Sequence, residues 1–257
     1  MNKAKKYMEF ITTKCIQKLS ERNATIDGIT LKYLFYRSKN SPRLIVVFSA
    51  CTRKGVKARY NYVRTLRNVS GNKLFILDDF AEDNRGAYYL GRNCGNEIEE
   101  ACRKLIENKM RELHCDRLIC CGSSKGGWAA LNMMCNFPGS TAIVGAPQYK
   151  LGNYIMSPAL EITRKYIMPE VTENYISFLN ALLSRKLQHA SKENHRLYLH
   201  YSDIEHTYAD HVKFLLEDLE KYGYNTTIDI QHYSDHLEVS QYFPEFLVKS
   251  ILQEVNS

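Results

Sequence analysis

Four stretches of the chain are apolar at nearly every position: residues 44–48 (LIVVF), 73–77 (KLFIL), 118–121 (LICC) and 141–144 (TAIV). Strands apolar on both faces belong in the interior of a parallel sheet covered by helices on each side. Residues 196–201 (RLYLHY) and 227–232 (TIDIQH) carry weaker versions of the pattern. The segments between them change period. Over residues 96–113, apolar side chains fall at Ile98, Cys102, Leu105, Ile106 and Met110, which is helical spacing. Further helices are predicted over 127–135, stopped by Pro138 and Gly139, over 208–222 and over 244–255. This alternation predicts an α/β architecture, a mostly parallel sheet with helices on both faces.

Two departures from the rhythm matter. The first 36 residues predict a helix over 5–22, then a hairpin of strands near 23–26 and 30–36 joined by Asp27-Gly28. Residues 147–195 are long, helix-rich and tyrosine-bearing, and are read as an insertion capping the site. At 257 residues, one domain carrying this insertion is expected.

Bulk properties narrow the classes. No apolar run approaches the roughly 20 residues that span a bilayer. Thr12, Thr13, Lys14 and Gln17 interrupt the start of the chain, against a secretory signal. The eight cysteines show no zinc-ligand spacing and read as reduced, small apolar residues, which suits the cytoplasm. The net charge of +7 favours an anionic partner, but no aromatic-interleaved basic stripe argues for nucleic acid.

The chemistry concentrates at residues 118–127, LICCGSSKGG. A buried strand runs into G-x-S-x-G and then a helix, the signature of a nucleophile elbow, which specifies the α/β-hydrolase fold with Ser124 as nucleophile. Gly122 and Gly126 leave room for the sharp turn, and the Lys125 N–H starts the helix as an oxyanion donor. A second donor is expected from the loop after the first central strand, at Ala50 or Cys51. The acid and histidine follow after later strands. Asp203 ends the 196–201 strand and is taken as the acid, with Glu205 and Asp210 as alternatives. His236 follows the last strand and is taken as the base, with His232 its rival. Asp78-Asp79 and the following Tyr88-Tyr89 occupy a strand-end loop of the kind that lines substrate crevices, so Asp79, Tyr88 and Tyr89 are candidate substrate contacts. No histidine or third acid stands at ligand spacing from the acidic pair, and no metal site is predicted.

The elbow G-S-S-K-G-G, the Asp-Asp loop with Tyr-Tyr-Leu-Gly, the segment Gly145-Ala146-Pro147-Gln148 and the late Ser-Asp and Asp-His pairs resemble bacterial capsular polysaccharide O-acetyltransferases of the α/β-hydrolase fold. Accessory secretion proteins that O-acetylate adhesin glycans are a more distant similarity. The resemblance implies acetyl transfer from acetyl-CoA to a polysaccharide hydroxyl through an acetyl-serine, with Ser124, Asp203 and His236 as the triad. It adds Gln148 as a substrate contact. A homodimer and peripheral association with a capsule assembly complex accompany it as partner readings. The residues alone leave open a serine esterase or deacetylase, and a non-catalytic hydrolase-fold subunit.

Overall fold

The computed structural model describes residues 17, 19–39, 41–191 and 193–256. Of the helix expected over 5–22, residues 5–16 and 18 lie outside them; residues 17, 19 and 20 are helical, and the helix ends before Arg22, which already opens the first strand. Eight strands form one sheet: β1 (Arg22–Ile26), β2 (Ile29–Tyr36), β3 (Arg43–Phe48), β4 (Asn72–Leu77), β5 (Arg117–Ser123), β6 (Thr141–Gly145), β7 (Arg196–Ser202) and β8 (Asn225–Gln231). Their spatial order is β1-β2-β4-β3-β5-β6-β7-β8. β1 and β2 form the antiparallel hairpin, with Asp27 and Gly28 both at positive φ in its turn. β2 also runs antiparallel to β4, and every pair from β4 to β8 is parallel.

The helices are α1 (Glu97–Leu113), α2 (Lys125–Met134), α3 (Leu151–Tyr154), α4 (Glu161–Ile167), α5 (Glu173–Ala190), α6 (Lys213–Lys221) and α7 (Val239–Asn256). The doubly apolar strands serve two cores. Leu44, Val46 and Phe48 of β3 face one core with Ile98 and Leu105 of α1, Trp128 and Leu131 of α2, and Leu183 of α5. Ile45 and Val47 face the other, filled by Phe243, Leu247 and Ile251 of α7. Side-chain alternation along each strand makes this division. β8 closes one edge and leaves Ile228 and Ile230 about half exposed, which accounts for its weaker apolar pattern.

The helix expected over 244–255 begins five residues earlier, so Pro244 lies inside α7. Pro244 lacks an N–H, but it falls in the second turn, where only one backbone bond is lost. The helix expected over 208–222 opens with one wide π-type turn, Tyr208–Val212, before α6. No described helix is long and apolar enough to cross a membrane.

Phe243 ties α7 to the sheet. A Cβ on Gly145 would lie 2.7 Å from its ring, so the glycine of β6 admits the aromatic face. Tyr62 meets the same ring edge-on at 5.4 Å between centroids. Phe243→Ala is expected to lower the unfolding free energy by about 3–5 kcal/mol, measured by urea denaturation.

Candidate active site

β5 ends at Ser123 and α2 starts at Lys125, so Ser124 makes the whole turn. Its backbone sits at φ 53° and ψ −122°, outside the conformations favoured by a side-chain-bearing residue. The turn is locked by the Ser124 N–H donating to Gly145 O (2.8 Å) and by Trp128 N–H donating to Ser124 O (3.0 Å). A Cβ on Gly122 would stand 2.3 Å from Gly126 O, and one on Gly126 2.4 Å from Phe48 O. Both glycines are therefore required by backbone contact.

His236 arrives from the segment after the edge strand β8, at the same carboxyl end of the sheet. Asp235 caps a short helical turn, His236–Glu238, by accepting from Leu237 N–H (2.9 Å), and Glu238 accepts in return from Asp235 N–H. This capping box aims the imidazole at the elbow. His236 Nε2 lies 3.0 Å from Ser124 Oγ. Its Nδ1 lies 3.2 Å from both carboxylate oxygens of Glu205. With the proton on Nδ1 donated to Glu205, Nε2 is free to accept from the Ser124 hydroxyl. Glu205 is buried and also accepts from Thr207 Oγ1.

Asp203 does not reach His236. Its carboxylate pairs with His232 Nδ1 at 2.7 Å, and both side chains are exposed. Strand register explains the exchange. β7 and β8 pair Ser202 with Gln231, so the next positions, Asp203 and His232, stand side by side. Asp203 N–H still donates to Gln231 O (3.2 Å), which keeps its residue on the sheet edge. Glu205 is two residues further along and one methylene longer, and it reaches under the imidazole. Counting residues from the strand ends of the sequence can expose the Asp203–His232 pairing once the register is known, but the order of acid and histidine alone cannot rank Asp203 against Glu205.

The loop after β3 supplies the facing wall. Ala50 and Cys51 both line the pocket beside Ser124, and the Ala50 N–H is engaged, donating to Asn61 Oδ1 (2.9 Å). Three expected substrate contacts fall elsewhere. Asp79 pairs with Lys32 of β2 at 2.5 Å, away from the pocket lining. Tyr88 and Tyr89 are buried. Tyr88 packs edge-on against Trp128, and Tyr89 donates to Ile76 O (2.9 Å) while accepting from Ser49 N–H (2.7 Å). Their rings fill core instead of crevice because the loop turns inward there. Gln148 is also fully buried, behind Ser124: its Nε2 donates to Ser124 Oγ at 2.8 Å and lies 3.3 Å from His236 Nε2. The side chain of Lys125, named from sequence only for its backbone, is buried in an ion pair with Asp78 at 2.8 Å.

Ser124 and His236 open into a pocket of about 1280 Å³. Arg53, Lys54, Arg59 and Arg85 are among its lining, with Asp210 as the acidic lining residue among those described. Residues 147–195 contribute Asn153, Tyr154, Ser157, Ala159 and Leu160 to its wall. Among the described residues no cluster of histidine, cysteine or carboxylate side chains can hold a metal ion.

Strand order, the elbow between β5 and α2, and the late histidine decide the fold. This is an α/β-hydrolase fold. No family profile matches the sequence, and no curated protein does. Solved structures do. The capsule O-acetyltransferase of Neisseria meningitidis serogroup A superposes with TM-score 0.72 at 20% identity, over 92% of this chain and 99% of that one. A glycosylation-associated protein complex from Streptococcus agalactiae gives TM-score 0.74 at 18% identity, over 91% of this chain and 46% of that one. A fluorophosphonate-binding serine hydrolase of Staphylococcus aureus gives TM-score 0.62 at 12% identity, over 92% and 98%. The hydrolase-fold chain thus shares its architecture with both a transferase and a hydrolase.

His211, at the pocket wall, is pushed down to about 4 by burial, and its Nδ1 accepts from Lys150 N–H (3.1 Å). It is neutral in the folded protein, while the unfolded chain takes up its proton near the ordinary value of about 6.5. Between these values the unfolded state binds more protons, so stability is fully present above about 6.5 and falls as pH drops toward 4. His195 and His200 are lowered in the same direction by burial. Acid titration of the unfolding free energy is expected to show this decline, and His211→Gln to remove on the order of 2 kcal/mol of it.

Proposed function

We propose that this protein is an O-acetyltransferase that moves acetyl from acetyl-CoA to a hydroxyl of a surface polysaccharide through an acetyl-Ser124 intermediate. The observation that carries the reading is the Glu205–His236–Ser124 relay at the floor of a pocket rimmed by cations. His236 Nε2 takes the Ser124 proton as Oγ attacks the thioester carbonyl carbon. Glu205 holds the imidazole in the required tautomer and stabilises the imidazolium. The carbon–sulfur bond breaks, and the CoA thiolate leaves with the proton from His236. An acceptor hydroxyl then gives its proton to His236 and attacks the acetyl carbon. The Ser124 oxygen leaves and recovers the proton. The oxyanion of each tetrahedral intermediate is held by Lys125 N–H and, since Ala50 N–H is engaged, by Cys51 N–H.

Support for the donor comes from charge. Arg53, Lys54 and Arg59 suit the phosphates of coenzyme A. A structure of the meningococcal enzyme, similar in fold at TM-score 0.70, holds CoA. The acceptor is proposed from that enzyme's capsule substrate class and from the glycosylation-associated complex. Helices α3 to α5 are proposed as a cap over the acceptor side. The free thiols of all described cysteines accord with a cytoplasmic setting, where acetyl-CoA is available.

Purified protein is expected to consume acetyl-CoA when a matching capsular glycan is supplied, and Ser124→Ala to abolish this. Ser124-dependent cleavage of simple acetyl esters with no response to any glycan would replace the transferase by an esterase. Glu205→Gln is expected to lower kcat by about 10²–10⁴-fold, while Asp203→Asn stays within about twofold of the parent. Equal losses from the two substitutions would overturn the assignment of Glu205. Reversing the charge of Arg53 and Arg59 together is expected to raise KM for acetyl-CoA by about tenfold and leave KM for an uncharged acetyl ester unchanged.

A further inference from the structure

The loop carrying the Cys51 amide is pinned on both flanks. Asn61 Oδ1 accepts from Ala50 N–H on one side. On the other, Arg85 grips the carbonyl of Thr52, with Nε at 2.9 Å and Nη2 at 2.6 Å. Arg85 is 5% exposed, and its Nη1 donates to Ala159 O at 2.6 Å. Its nearest carboxylate, Asp83, is 3.7 Å away, so carbonyl oxygens are its main partners. The backbone carbonyl of Arg85 in turn accepts from Lys125 Nζ at 3.0 Å. Lys125 is fully buried, and its ammonium also donates to Asp78 Oδ2 (2.8 Å) and Asp78 O (3.2 Å). Asp78 accepts from Ala87 N–H (2.9 Å) and Tyr89 N–H (3.2 Å), tying down the rest of the loop. Gly86 keeps this arrangement possible: a Cβ there would stand 2.0 Å from Lys125 Nζ.

A chain of contacts therefore runs from Lys125, whose own amide is one oxyanion donor, through its ammonium to Arg85, and through the guanidinium to Thr52, next to the second donor. We propose that Lys125 and Arg85 form a strut that sets the spacing of the two oxyanion donors. Both are positioning residues, acting through the amides of Lys125 and Cys51. The inference rests on the acyl-transfer reading above and extends it. Charges that served only to interact through solvent would not need burial. The free energy of withdrawing a lysine and an arginine from water is recovered only through well-formed hydrogen bonds, and here those bonds end on the loops that frame the site.

The test is a series at Arg85, to Lys, Gln and Met, read by the rate of Ser124 phosphonylation with a fluorophosphonate, by kcat and KM, and by the infrared carbonyl band of the carbon-13 acetyl-enzyme. Near-UV circular dichroism checks folding. Arg85→Met is expected to slow phosphonylation and kcat by about 10²-fold, leave KM for the donor within about threefold, and move the carbonyl band to higher wavenumber, since a looser oxyanion site polarises the carbonyl less. Arg85→Gln, which can still donate to Thr52 O, falls between Arg and Met. Arg85→Lys, which keeps the charge but not the fork, stays near Met. Full rescue by Arg85→Lys, a loss confined to KM, or an unmoved carbonyl band in folded Arg85→Met overturns the strut. If the Arg85 variants do not fold, Lys125→Met with Asp78→Asn removes both charges of the pair and reads the other end of the strut: a slowed kcat with a shifted carbonyl band supports it, and an unmoved band overturns it. A wild type labelled neither by the phosphonate nor by acetyl overturns the acyl-transfer reading and the strut together; a labelled wild type with unimpaired variants overturns the strut alone.

Discussion

Backbone contact at one point organises this molecule. β5, the first turn of α2 and the end of β3 meet so closely that neither Gly122 nor Gly126 tolerates a side chain, and Ser124 is left in a conformation that costs on the order of 1–3 kcal/mol. That strain is held by the sheet on one side and by the buried face of α2 on the other. Trp128, Leu131 and Met134 are all withdrawn from solvent, so the helix cannot relax outward without exposing them. Ser124 is presented by packing, not by any interaction of its own hydroxyl.

The polar machinery is built at strand ends, where the sheet stops and its apolar faces no longer demand apolar neighbours. Asp78 follows β4, Ser124 follows β5, Gln148 follows β6 and Glu205 follows β7. Each is buried and each has a partner from a different element. In parallel sheets the carboxyl ends of the strands lie at one edge, which brings these groups together although they are spread over half the chain. The exposed Asp203–His232 pair is likewise a carboxylate against an imidazole, but it is solvated and has no serine hydroxyl recorded against its ring.

The pocket divides its labour between fixed and added parts. Its floor belongs to the sheet, its basic side to the loop after β3, and one wall to the segment between β6 and β7. The basic side chains, Arg53, Lys54 and Arg59, stand on a loop held by Asn61 and Arg85, so the pocket's positive charge and the Cys51 amide come from one segment. A transferase and a hydrolase can share this frame, since what separates them is the second nucleophile admitted to His236.

Periodicity and residue type in the sequence were enough for the strands and for where Ser124 and His236 stand, because those depend on local rules: apolar runs bury on both faces, a serine on a tight strand-to-helix turn needs glycines around it, and Asp235 caps the turn that carries His236. They left three carboxylates beyond β7, Asp203, Glu205 and Asp210, as candidate partners for a histidine. Register between β7 and β8 separates the first two in space, since it sets Asp203 against His232 and leaves Glu205 to meet the His236 imidazole. Tertiary packing likewise turned Tyr88 and Tyr89 into core, engaged the Ala50 amide with Asn61 and drew the Lys125 side chain into the interior. These outcomes follow from which groups distant in sequence arrive at the same place, and a one-dimensional pattern holds no distance between them.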